Sequence, residues 1–160
     1  MQKIISCLWF DKNAEETVDF YLTVFKNSKK GAISHYGKEG FEIHGMPEGT
    51  VLTIEFELEG QKFLAMNGGP VFKFNEAVSF MITCENQEKI DYYWEKLTEG
   101  GDPESQQCGW LKDKFGLSWQ VVPEGLDKLM TGPNSEKVMA VLLKMKKLVI
   151  TDLEKAATGT

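Results

Sequence analysis

The chain repeats itself. Val18, Tyr21, Leu22 and Phe25 fall at i, i+3, i+4 and i+7, and Ile90, Tyr93, Trp94 and Leu97 repeat that spacing with an offset of 72 residues at every position. Apolar residues so spaced form one stripe of an α-helix. A duplication narrows the possible folds sharply, because each copy must be a unit that buries its apolar face only with others. The flanks repeat too. Residues 4–10 read as a strand that is apolar on both faces. Asn13, with Glu16 three residues on, has the spacing of a capping box before the first helix. Residues 27–31 end it, residues 32–36 read as a weak strand, and residues 37–50, with four glycines and Pro47, read as a loop. Residues 51–58 alternate, Glu59-Gly60 turns, and residues 61–67 return, which is a β-hairpin. In the second copy, residues 77–84 read as a strand, Asn86 as a helix cap and Gly100-Gly101 as a stop, followed by a hairpin of residues 106–112 and 117–122. A tail adds a helix over residues 135–145, with Val138, Met139, Leu142 and Met145 on one face, and a final short helix near Asp152.

Composition excludes some partners. With 160 residues the chain can bury a core without disulfides. Its formal charge of −6 is spread along the chain, and its one cationic run, Lys144, Lys146 and Lys147, reads as the solvated side of a helix. Nucleic acid demands a basic face, so none is expected as a partner. No apolar run approaches the roughly 18 residues that span a bilayer, so no membrane is expected either. Cys7, Cys84 and Cys108 are odd in number, far apart and without a CxxC pair, which suits free thiols in the cytoplasm; an export signal is not expected at the N-terminus.

Two segments carry a family resemblance. Asn13 to Phe25, with Phe20-Tyr21-x-x-Val24-Phe25, resembles the first helix of the vicinal-oxygen-chelate (glyoxalase/bleomycin-resistance/dioxygenase) superfamily. The run Gly109-Trp110-Leu111-Lys112-Asp113-Lys114-Phe115-Gly116-Leu117-Ser118-Trp119-Gln120-Val121-Val122-Pro123, with the lysine-rich tail around Lys144 to Leu148, resembles its PhnB-like branch, often labelled 3-demethylubiquinone 3-methyltransferase-like. The resemblance implies an α+β fold in which two βαβββ modules form a curved mixed sheet around a cavity, plus C-terminal helices. It implies one domain over residues 1–160: module one 1–70, module two 71–133, tail 134–160. A homodimer is implied as well, and the stripe of the tail helix needs cover from its own sheet or from a partner.

Metal-dependent members of the superfamily place a His, Glu or Gln at four inward strand positions. Aligned through Phe20-Tyr21, these fall on Ser6, Ala65, Ser79 (Val78 in a register shifted by one) and Gln120. One amide, two hydroxyls and a methyl are a poor set of donors for a divalent ion, so no metal and no cofactor is expected. His35 and His44 lie in the loop region of the first copy with no carboxylate at ligand spacing. Strand alternation offers a pocket instead. If the bulky set of each strand packs against the helices, the mixed set faces a cavity: Ser6, Leu8, Phe10, Ala65, Asn67, Ser79, Met81, Ser118 and Gln120, with Trp110 as a stacking surface.

Two functional readings follow. One is a metal-free protein that binds a small apolar or planar molecule. The other is an enzyme of the same superfamily (a metal-dependent lyase, isomerase or dioxygenase) or the methyltransferase of the label. A methyltransferase site of the common type needs a parallel α/β sheet and a glycine-rich strand-to-helix turn, and the chain has no such motif. No nucleophile–base pair or carboxylate pair is legible, so the binding reading leads.

Overall fold

The computed structural model describes residues 2–159. It comprises seven strands, six α-helices and a 3₁₀ turn among those residues, and it divides into two compact units, 1–74 and 75–160.

The first unit runs β1 (Ser6–Phe10), α1 (Ala14–Val24), β2 (Ser28–His35), the one-turn helix α2 (Phe41–His44), β3 (Val51–Leu58) and β4 (Gln61–Asn67). Its sheet has the order β1-β4-β3-β2, with β1 parallel to β4 and the other pairs antiparallel. The hairpin joining β3 and β4 turns through Glu59 and Gly60 at φ 49° and 81°, the two positive values that a tight hairpin turn demands. α1 packs against this sheet through Ala14, Val18, Tyr21 and Val24, all buried, and the Tyr21 and Phe56 rings stack with centroids 6.4 Å apart.

The expected capping box is not formed: Asn13 makes no side-chain cap. The end of α1 is satisfied from across the sheet. Asn67 Oδ1 accepts from the Ala14 amide at 2.9 Å, and Asn67 Nδ2 donates to Glu15 Oε1 at 2.7 Å and to the Val51 carbonyl at 3.0 Å. An orphan helix donor is thereby met by a long-range side chain instead of a local one.

The second unit runs β5 (Ser79–Cys84), α3 (Gln87–Thr98), a 3₁₀ turn (Pro103–Ser105), β6 (Trp110–Lys112), β7 (Ser118–Pro123), α4 (Leu126–Thr131), α5 (Ser135–Leu142) and α6 (Ile150–Ala157). Here the expected cap is present, with Asn86 Oδ1 accepting from the Lys89 amide at 3.0 Å. The strand order β5-β7-β6, with β5 parallel to β7 and β6 antiparallel, reproduces β1-β4-β3 of the first unit. The counterpart of β2 is replaced by Gly100-Gly101 and the 3₁₀ turn. At Gly101 a Cβ would lie 2.3 Å from the Lys112 carbonyl oxygen, so the chain passes too close to β6 for any side chain there.

The turn between β6 and β7 explains much of the family-like run. Asp113 is 3% exposed. Its Oδ1 accepts from the amides of Phe115 and Leu117 at 2.9 and 3.1 Å, and its Oδ2 accepts from the Trp119 indole at 2.9 Å. A buried carboxylate needs such donors. Asp113 therefore shapes the hairpin.

The tail is covered within its own unit. Val138 and Leu142 of α5 and Leu153 and Ala156 of α6 cluster with Leu148 and with Val122 of β7. Gln87 fastens this cluster to α3, donating to the Leu148 carbonyl at 2.9 Å and accepting from the Ile150 amide at 2.8 Å. Val138 and Leu142 of the α5 stripe thus find their cover without a second copy, while Met139 stays exposed.

Candidate functional site

Each sheet has one face under a helix and one open face, and register assigns every side chain to one or the other. In the first unit Ser6 pairs with Phe63, Leu8 with Ala65 and Phe10 with Asn67, while Ile54 lies beside Ala65 and Phe56 beside Phe63. Since Phe56 stacks on Tyr21, this is the face under α1. Leu8, Phe10, Ala65 and Asn67 are buried in it. The expected assignment of faces is therefore reversed in this unit: Leu8, Phe10, Ala65 and Asn67 lie under α1, and Leu64 and Met66 stand on the open face with Cys7 and Trp9. The polarity of Asn67 belongs to the cap of α1.

The upper part of that open face is closed by the chain leaving β4. The Trp9 indole donates to the Gly69 carbonyl at 2.9 Å and lies so close to Gly68 that a Cβ there would meet its ring at 2.3 Å; the Phe72 ring packs edge-on at 4.9 Å. Below it a groove of about 410 Å³ crosses all four strands, lined by Ile5, Cys7, Lys29, Gly31, Glu55, Glu57, Lys62 and Leu64 with the edges of Phe56 and Phe63. Its charges alternate in sign, and Lys29 Nζ stands 3.6 Å from Glu57. Burial raises the pKa of the Cys7 thiol, which opposes a thiolate nucleophile. Sequence reasoning missed the groove because β1 is apolar at Leu8, Trp9 and Phe10 alike, so alternation gives no phase.

In the second unit Ser79, Met81, Ser118, Gln120 and Trp110 share one face. Ser79 pairs with Ser118, Met81 with Gln120, and Trp110 with Gln120. Gln120 Nε2 donates to Ser79 Oγ at 2.9 Å, leaving Gln120 Oε1 to accept and the Ser79 hydroxyl to donate. Ser118 Oγ is buried with no hydrogen-bond partner, at the row where Lys112 pairs with Glu76. That pairing holds the Glu76 carboxyl below its usual range through the Lys112 hydrogen bond. Burial pushes the Cys84 thiol up to about 11, so it behaves as a small hydrophobe.

The two histidines lie in the first unit. His44 accepts from the Met46 amide through Nδ1 at 2.9 Å and packs beside Tyr36 with the rings tilted at 41° and their centroids 4.6 Å apart. His35 lies on β2 opposite Val51. The three cysteines are free, and no group of three or more His, Cys, Asp or Glu gathers among the described residues.

The sequence model of the 3-demethylubiquinone-9 3-methyltransferase family matches residues 2–122. The chain belongs to this family. Among solved structures it is similar to the PhnB protein of Bacillus cereus, named for the same methyltransferase, at 37% identity and a TM-score of 0.63 over 76% of this chain and 99% of that one. It is similar in fold to protein PA1353 of Pseudomonas aeruginosa, at 17% identity and a TM-score of 0.57 over 78% and 98% of the two chains. A further likeness in fold is to the fosfomycin resistance protein FosX of Listeria monocytogenes, in complex with Mn(II) and sulfate. There identity is 15% and the TM-score 0.53, over 81% and 97% of the two chains. No match was found among curated proteins. The family member described here is thus a PhnB-like protein of the glyoxalase/bleomycin-resistance fold.

The Mn(II) of FosX invites a test of this chain's own donors. Ala65 has none and is fully buried under α1, and Ser6 shares its face. Ser79 and Gln120 are side by side but bonded to each other. The four positions do not fit a divalent ion.

Proposed function

We propose that this PhnB-like protein binds a small molecule on its open sheet faces without a metal, and that it works in the cytoplasm as a homodimer. The groove across the first sheet carries the reading. It is of the volume usual for a ligand site, with Ile5, Cys7 and Leu64 beside the charged Lys29, Glu55, Glu57 and Lys62. The second sheet supports it with a hydroxyl buried without a partner, a group that a native protein leaves orphaned only at some cost, beside the Ser79–Gln120 pair. On the first open face burial raises the Cys7 thiol, which opposes a thiolate there.

The transfer reaction in the family name draws no support from the strand-to-helix turns. β1 reaches α1 through Asp11-Lys12-Asn13 and β5 reaches α3 through Glu85-Asn86, with no glycine to admit a nucleotide backbone. The homodimer draws support from exposed apolar side chains, namely Ile4, Val71, Phe72, Val78 and Met81, and the cytoplasm from three unpaired thiols.

Native mass spectrometry of the gently purified protein, paired with metal analysis and a thermal-shift screen, tests the reading. A bound or stabilising organic ligand without stoichiometric metal is expected. One equivalent of tightly held divalent metal, or the absence of any stabilising compound from a broad library, overturns it.

A further inference from the structure

We infer that the groove of the first unit takes a dipolar small molecule, its ammonium beside Glu55 and its anionic group at Lys62 and Lys29. The inference rests on the binding reading above and names the chemical class of the ligand.

Register divides the groove floor into two rows running across the strands. The first row is Cys7, Leu64 and Glu55, ending at Gly31. The second is Ile5, Lys62, Glu57 and Lys29. In the second row Glu57 has a cation on either side: Lys62 is its direct partner on β4, and Lys29 on β2 approaches to 3.6 Å. That row holds one positive charge more than it holds negative.

Glu55, one row away, has the opposite surroundings. Its partner on β4 is Leu64, and on β2 the chain bulges: pairing jumps from Lys30 with Phe56 to Ile33 with Ile54, so Gly31 and Ala32 together oppose Glu55. The position that would supply its cross-strand cation is a glycine, whose Cβ would stand 3.1 Å from Glu55 Cβ. Bulges and interior glycines mark places where a strand is re-aimed or a ligand comes close. Among the described residues the Glu55 carboxylate makes no ion pair, and neither does the Lys62 ammonium.

The floor is thus an electric dipole. Its negative end lies at Glu55 and its positive end one row below, about 7 Å away at two residues along a strand. Ile5, Cys7 and Leu64 supply an apolar bed beside it. A single contact to an exposed charge discriminates weakly. Two contacts of opposite sign at a fixed spacing discriminate by sign and by length together, so the complementary ligand carries an ammonium and an anion joined by a short apolar spacer.

The test titrates the intact protein with 6-aminohexanoate, hexylamine, hexanoate and hexan-1-ol, following the backbone amides of Cys7, Glu55 and Leu64 by ¹H–¹⁵N correlation spectra. The dipolar compound is expected to bind about fivefold tighter than hexylamine or hexanoate. In Glu55→Gln it should fall to the affinity of hexanoate, and in Lys62→Met to that of hexylamine, with spectra elsewhere unchanged. If hexan-1-ol binds these amides as tightly as 6-aminohexanoate, the dipole inference is overturned and the groove remains a binding site. If hexylamine or hexanoate alone binds tightest, the inference is likewise overturned. If no compound of the series moves these amides, the inference and the groove fall together.

Discussion

Exchanging Asp113 for asparagine changes one atom of the β6–β7 turn, and the structure says what that atom does. Asp113 Oδ2 accepts from Trp119 Nε1 at 2.9 Å while Oδ1 accepts two amides, and both residues are 3% exposed. In Asp113→Asn the Oδ1 bonds survive without their charge, each weakened by about 1 kcal/mol. The new amide NH₂ faces the indole N–H, so two donors meet and a buried one is left unpaired at about 1–3 kcal/mol. The sum is about 3–5 kcal/mol. Trp119→Phe removes the indole donor and should cost about 2–3 kcal/mol through the lost bond and lost volume. The double variant no longer sets donor against donor, so its cost should fall short of the sum of the two by about 1–2 kcal/mol. Urea unfolding of all four proteins, followed by far-ultraviolet circular dichroism, gives the cycle. Additivity within about 0.5 kcal/mol would show that the indole bond is not what holds the turn.

Other consequences are measurable separately. Asn67→Ala removes the cap of α1 and its two further bonds and should cost about 2–4 kcal/mol in urea unfolding; a cost below 1 would show α1 capped by other means. Ala65→Glu places a charge under α1 and should unfold the protein or cost more than about 3 kcal/mol, whereas Leu64→Glu on the open face should cost less than about 1; circular dichroism melts giving similar costs for both would show the faces misassigned. The folded Cys84 thiol titrates near 11 against 9.0 for an ordinary thiol. The stability this contributes is full below pH 9 and is lost as pH rises towards 11, so unfolding free energies should fall more steeply across that window in the natural chain than in Cys84→Ala. Gln87→Leu frees the Leu148 carbonyl and the Ile150 amide and should speed hydrogen exchange in α6 ahead of the sheet; unchanged exchange there would remove the clamp.

The duplication was legible because helices announce themselves by period and by punctuation. The two apolar stripes at a constant offset became α1 and α3, and Glu59-Gly60 turned the hairpin as its residue types require. Capping was legible where it was local, at Asn86, and illegible where it was not. Nothing in the sequence ties Asn67 to Ala14, 53 residues away, and Asn13 had the right type and spacing for a bond it does not make. The strand missing from the second sheet was hidden for a related reason. In its place Gly101 passes so close to the Lys112 carbonyl that a Cβ there would stand 2.3 Å from it, a contact set by the fold rather than by local preference.

The faces of a sheet were legible only where a strand alternates. In β7 the large Trp119 and Val121 alternate with the smaller Ser118 and Gln120, and register puts Ser79, Met81, Trp110, Ser118 and Gln120 on one face of the second sheet. In β1, Leu8, Trp9 and Phe10 are all large and apolar because both faces are covered, one by α1 and the other by the chain leaving β4 through Gly68 and Phe72. A strand wrapped on both sides loses the period-two signal that tells its faces apart, and an alignment anchored on a neighbouring helix then carries any one-residue difference straight into the choice of face. The polar residues of β4 pointed the same wrong way, because Asn67 is polar to serve a helix end. What could have found the groove is on β2 and β3: Glu55 and Glu57 stand on one face of β3, and only one of them faces a lysine across the sheet. The glycine opposite the other is the residue that a search for catalytic side chains passes over, since its contribution is the space it leaves.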